Sequence, residues 1–156
     1  MNRKEKVALL KAQLLKGLEI LEKTKTILDI SFLKCKQISL VKELSENDLE
    51  SFEALTARFA RFVDISSQKI LKTIFLLLGE NPVTIIDQAT FAEKLKIIPN
   101  AEVLLELREL RNLIAHEYTE EDLRRLFKSV LRKRKSLDAL FKAIVVFAKE
   151  LVATIS

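Results

Sequence analysis

One cysteine, one histidine, one tyrosine, two glycines, two prolines and no tryptophan are found in these 156 residues. A lone Cys35 excludes an intrachain disulfide and suits a reducing compartment. So little glycine and proline, beside abundant Leu, Ala, Lys and Glu, implies long helices on short connections. One histidine, one cysteine and no tight cluster of carboxylates leave neither a zinc site nor a two-metal phosphodiesterase site readable. Cys35 is far from His116 in sequence and no nucleophile-elbow motif exists, so a cysteine or serine hydrolase has no support. The absence of a Gly-rich phosphate loop argues against intrinsic nucleoside-triphosphate hydrolysis. No apolar run approaches the roughly eighteen residues that cross a bilayer. The opening Met1-Asn2-Arg3-Lys4-Glu5-Lys6 is not followed by the apolar core of a signal peptide. The expectation is a soluble, cytoplasmic protein with no membrane association, no metal and no cofactor.

What the sequence does contain is helical rhythm. Val7, Leu10, Leu14, Leu18, Leu21, Thr24 and Leu28 recur at three or four places between Lys4 and Ile30, which predicts one amphipathic helix. The rhythm fades over Ser31 to Leu44, where a turn is expected. Ser45-Glu46-Asn47-Asp48 reads as a helix start, with Ser45 as N-cap and acidic side chains in the first turn. Its helix carries Leu49, Phe52, Leu55, Phe59, Phe62, Val63, Ile70, Ile74 and Leu77 and stops near Gly79, before the turn Glu80-Asn81-Pro82. Thr84 to Lys96 predicts a shorter helix, and Pro99-Asn100 starts another. Thr119-Glu120-Glu121-Asp122 repeats the capping pattern. The last segment is apolar at Leu123, Phe127, Val130, Leu137, Phe141, Ile144, Ala148 and Leu151, and Arg132-Lys133-Arg134-Lys135 predicts a kink or short loop within it. With no repeat or linker, residues 1–156 form one all-α domain, a bundle of four to five helices.

Distinctive chemistry is concentrated in Arg111-Asn112-Leu113-Ile114-Ala115-His116-Glu117-Tyr118. Imidazole, with an unperturbed pKa of about 6.5, moves protons near neutral pH. Guanidinium is a natural fork for phosphate. Val103, Leu107, Leu110 and Ile114 define the buried face of this helix, and Arg111 lies within about 60° of its centre. An arginine there requires a partner. That partner is either a core carboxylate, Asp64 being one candidate, or an anionic ligand. His116 follows at about 140° around an ideal helix, so the two do not share a face, whereas Asn112 and His116 do. Unwinding near Tyr118, or a site between two subunits, can bring them together. The simpler reading of His116 is a cation favoured by the helix C-terminus.

Arg-x-x-x-x-His-x-Tyr, with a polar residue after the arginine, resembles the signature of HEPN domains. The similarity is to the branch found as the toxin partner of a minimal nucleotidyltransferase in toxin–antitoxin pairs. It extends to Glu93-Lys94-Leu95-Lys96-Ile97-Ile98, to Leu105-Glu106-Leu107-Arg108-Glu109-Leu110, and to Phe52-Glu53-Ala54-Leu55-Thr56-Ala57-Arg58-Phe59-Ala60-Arg61-Phe62, about half the chain. The resemblance implies an up-and-down antiparallel bundle that forms a homodimer with both motifs at a common cleft. It further implies metal-independent RNA cleavage, with Arg111 and His116 catalytic, Asn112 and Arg108 supporting, and Tyr118 as the site where the cognate nucleotidyltransferase antitoxin adds AMP. The runner-up is a non-catalytic module that presents a nucleotide or other substrate to that nucleotidyltransferase; a purely structural helical dimer is third.

A net charge of +5 and a pI near 9.3 permit an RNA partner, although 22 acidic residues keep the charge mixed. Arg58 and Arg61, three apart on the second helix, are candidate phosphate contacts, as are Arg124 and Lys128. The basic run Arg132 to Lys135 reads equally as a phosphate track or a solvated face. With no Trp and most of the nine Phe at core positions, sequence-specific base readout is not indicated.

Overall fold

Helix α1 (Arg3–Lys36) opens with a reciprocal cap: Asn2 Oδ1 accepts from Glu5 N at 2.9 Å, and the Asn2 amide donates to Glu5 Oε2 at 3.1 Å. The computed structural model describes residues 1–116 and 119–155. At 1.5 Å per residue, the 34 residues of α1 run for about 50 Å and form the spine of the molecule. Leu14, Leu18, Leu21, Leu28 and Phe32 bury one stripe of it. The helix continues past Ile30, where the apolar rhythm fades, because small polar side chains face the core there. Ser31 and Cys35 are buried, while Ile30 and Leu33 face outward. The Cys35 thiol donates to the Ser51 carbonyl at 3.3 Å, and burial pushes its pKa up.

Ser45 caps α2 (Glu46–Asp64), whose path continues through a π-helical segment (Ile65–Leu71) into α3 (Lys72–Leu77), so residues 46–77 make one unbroken helical rod against α1. The widened turn lets Ile65, Ser66, Ser67, Ile70 and Leu71 all be buried, a pattern no regular α-helical stripe provides. Gly79, at φ +79°, closes the rod. The Gly79 and Glu80 amides donate to the carbonyls of Leu76 and Phe75, so the left-handed residue satisfies the helix's last acceptors.

The second half of the chain covers this pair. Helix α4 (Ile85–Lys94) is capped by Thr84, α5 (Ala101–Ile114) follows Asn100, α6 (Glu120–Arg132) is capped by Thr119, and α7 (Arg134–Thr154) completes the bundle. The expected kink lies at Lys133, the single residue between α6 and α7. Counting 46–77 as one, the described residues form six helices and no strand. The expectation of four to five fell short because Lys133 breaks the last segment into two. Stacked Phe52 and Phe127, centroids 4.5 Å apart, join α2 to α6; edge-on Phe75 and Phe91, at 5.1 Å, join α3 to α4. Lys25 of α1, 7% exposed, meets Asp29 at 2.6 Å and Asp138 of α7 at 2.7 Å. No helix among the described residues is long and apolar enough to cross a membrane.

Candidate functional site

Helix α5 packs against α2 and buries Leu104, Leu107 and Leu110. Arg108 and Arg111, three apart, therefore sit on the flank of that contact and reach the turn where α2 becomes π-helical. Arg111 Nε donates to Asp64 Oδ1 at 2.7 Å and its Nη2 to Oδ2 at 2.9 Å, a two-point fork. Arg108 Nη1 donates to the same Oδ1 at 3.1 Å and to Ser67 Oγ at 3.4 Å. Ser67 in turn donates to the Val63 carbonyl at 2.7 Å. The carboxylate suggested from the helical wheel is thus the one that holds Arg111.

All three charged side chains are partly accessible: Arg108 20%, Asp64 28% and Arg111 30%. Hydrogen bonds to Asp64 raise the Arg111 pKa further above its ordinary value, outweighing partial desolvation. Two cations share one anion, so the cluster keeps a net positive charge. Asp64 engages only the Nε/Nη2 edge of Arg111, and Nη1 is not part of that fork. Chemically, this is a cation fixed in orientation, partly open to solvent, and suited to phosphate. Two positions beyond Asp64, the buried Ser66 hydroxyl has no hydrogen-bond partner among the described residues.

Helix α5 ends at Ile114, and its last turn tightens as His116 N donates to the Leu113 carbonyl at 3.1 Å. His116 and Asn112 are both exposed. Tyr118, the expected modification site, lies outside the described residues.

The remaining candidates separate. Arg58 donates to Ser31 Oγ at 2.7 Å and lines a hollow between α1 and α2, together with exposed Arg61. Arg124 is committed to the 37–45 connection: Nη1 donates to the carbonyls of Leu40 and Lys42, both at 2.8 Å. Lys128 is exposed on α6. Within the basic run, Lys133 pairs with Glu106 and Arg134 lies over the Phe32 ring at 5.7 Å, two contacts that tie the α6–α7 junction to the bundle. Arg108 was legible only as a neighbour of Arg111; its share in Asp64 needed the packing of α5 on α2. Among the described residues no group of three or more His, Cys, Asp and Glu side chains is placed to hold a metal ion.

Comparison with protein-family models, with curated proteins and with solved structures gave no match.

Proposed function

We propose that this chain is a HEPN-like toxin ribonuclease that works as a homodimer and is silenced by a minimal nucleotidyltransferase that transfers AMP to Tyr118. The observation that supports it best is Asp64's two-point hold on Arg111, which presents an oriented, partly accessible guanidinium near the end of α5, with His116 exposed just beyond. In the reaction, the RNA 2′-oxygen attacks the adjacent phosphorus and the 5′-oxygen leaves. A 2′,3′-cyclic phosphate forms at one end and a 5′-hydroxyl at the other. Such a step needs a base at the 2′-oxygen, an acid at the 5′-oxygen and positive charge at the phosphorane. Arg111, with Arg108 beside it, supplies the charge, and His116 moves one proton. The chain has a single histidine, so the second proton-transfer group is His116 of another copy, Tyr118 or water.

AMP on Tyr118 adds an anionic nucleotide beside these cations, which both fills and neutralises the cleft. The second reading, a module that grips a nucleotide for the nucleotidyltransferase without cleaving, draws on the same fork, since phosphate binding by Arg111 requires no proton transfer.

The test is cleavage of total RNA in the presence of chelator by protein whose intact mass shows no added AMP, beside Arg111→Ala and His116→Ala. Cleavage lost in both variants is the expected result. A folded, unmodified dimer that leaves RNA intact refutes the ribonuclease and leaves the binding module. Mixing His116→Ala with wild type is expected to lower activity per wild-type subunit; strictly proportional loss contradicts a site shared across the dimer.

A further inference from the structure

Two hollows of about 520 and 480 Å³ lie end to end between α1 and the 46–77 rod, sharing Ile20. From Ala12 to Ile27 on the α1 side, the groove they make is about 22 Å long at 1.5 Å per residue. Its floor is apolar, formed by Gly17, Ile20 and Ile70, with Ile27, 45% exposed, at its edge. A side chain at Gly17 would meet Ile70 Cδ1 at 2.6 Å, so glycine there lets Ile70 seat against α1. Six cations line the two walls, Lys16 and Lys23 from α1, and Arg58, Arg61, Lys69 and Lys72 from the rod, with no acidic residue among the lining side chains. Since the whole chain carries +5, the rest of the molecule sums to −1.

Among the described residues these charges have no carboxylate partner, although Arg58 donates to Ser31 Oγ at 2.7 Å. Arg108, Arg111, Arg124, Arg125, Lys25 and Lys133 each form ion pairs, whereas none of the six groove cations does among the described residues. All except Arg58 are exposed. Six like charges held along one concavity repel one another, a cost relieved by a polyanion.

We infer that this α1/α2 groove binds the backbone of a single-stranded polynucleotide without regard to sequence. The shape selects a thread over a plane: a flat bilayer meets the rim lysines but leaves the apolar floor empty. A second copy laid on the same face sets six cations against six. No aromatic side chain lines the groove, so bases find no stacking platform and recognition rests on phosphate. Arg61 precedes Asp64 by three residues on α2, so the groove's rim adjoins the turn that holds Arg111. The inference goes beyond the cleavage reading and does not depend on it, because binding is measured in His116→Ala protein, where no strand needs to be cut.

The experiment is fluorescence anisotropy of labelled oligouridylate across a salt series, with parallel arms of oligothymidylate, polyglutamate and vesicles of anionic phospholipid. At about 0.7 per phosphate contact on a single strand, six contacts give a slope of log K against log salt near −4. Changing Lys23, Arg61, Lys69 and Lys72 together to Gln leaves two contacts and is expected to bring the slope to about −1.4. Changing exposed Lys4, Lys94, Lys142 and Lys149 to Gln removes the same charge elsewhere and is expected to leave the slope near −4. Both polynucleotides binding, with loss confined to the groove variant, supports the inference. Photocrosslinked peptides are then expected from residues 12–27 and 58–76. Equal loss in both variants reduces the effect to net charge and overturns it, as does binding confined to vesicles or polyglutamate, or no binding at any salt.

Discussion

Removing the Asp64 carboxylate tests whether the charge cluster is a structural fixture or a loose surface pairing. In Asp64→Asn, Arg108 and Arg111 lose the anion that both engage, at 3.1 Å and at 2.7 and 2.9 Å. A buried pair broken on one side costs about 3–5 kcal/mol, and an exposed pair contributes about 0–1 kcal/mol. With the three side chains 20–30% exposed, the cost lies between these limits, at about 2 kcal/mol once solvent screening is allowed for. For a domain of this size that corresponds to a fall in Tm of about 4–8 °C. Arg111→Gln is expected to cost a similar amount. The two together should cost less than their sum, with a coupling of about 1.5 kcal/mol, read by urea denaturation of wild type, both single variants and the double variant. A coupling below about 0.5 kcal/mol refutes the reasoning, since independent sites add within that margin.

Other outcomes follow from the same structure. Lys96 closes α4 at φ +61°, so Lys96→Gly is expected to stabilise by about 1 kcal/mol in thermal or urea unfolding, left-handed strain relieved outweighing backbone entropy gained by the unfolded chain. Arg124→Ala is expected to cost about 1–2 kcal/mol and to speed proteolysis within 37–45, because it releases two carbonyls that hold that connection. The Lys25 pKa is raised above 10.5: burial opposes the cation, but its hydrogen bonds to Asp138 and Asp29 outweigh it. A raised folded-state pKa gives stability that is complete below pH 10.5 and lost as pH climbs through the higher folded value. Lys25→Met should therefore show a shallower alkaline decline in unfolding free energy than wild type. The difference is expected to be modest, since Asp29 and Asp138 are each more than a third exposed.

The parts of this fold that could be read from sequence are those whose physics is local. Ser45 and Thr119 cap α2 and α6 because a short oxygen-bearing side chain reaches its own backbone three residues on, whatever packs around it. Gly79 and Lys96 show the limit of that reading. Both end a helix in the left-handed conformation, and in both cases the residue's own amide and the next one return to the helix's last carbonyls, yet only glycine advertises it. The end of α1 was illegible because Ser31 and Cys35 are buried while Ile30 and Leu33 are exposed, reversing the expected polarity. The π-helical segment was equally hidden, since Ser66 and Ser67 inside the core break the periodicity that marks a buried face. Arg111's need for a partner could be read because a charge on an apolar stripe requires one, with Asp64 one candidate; that Asp64 fills the role needed the packing of α5 on α2. The groove could not be read, because Lys16 and Lys23 belong to one helix, Lys69 and Lys72 to another, and only their packing joins them.

The most direct test of the ribonuclease reading is the chemistry of the ends produced from a defined single-stranded RNA incubated in chelator with AMP-free protein. The account predicts 2′,3′-cyclic phosphate and 5′-hydroxyl ends that disappear with either His116→Ala or Arg111→Ala. Ends bearing 3′-hydroxyl and 5′-phosphate, or cleavage that persists in His116→Ala, contradict it.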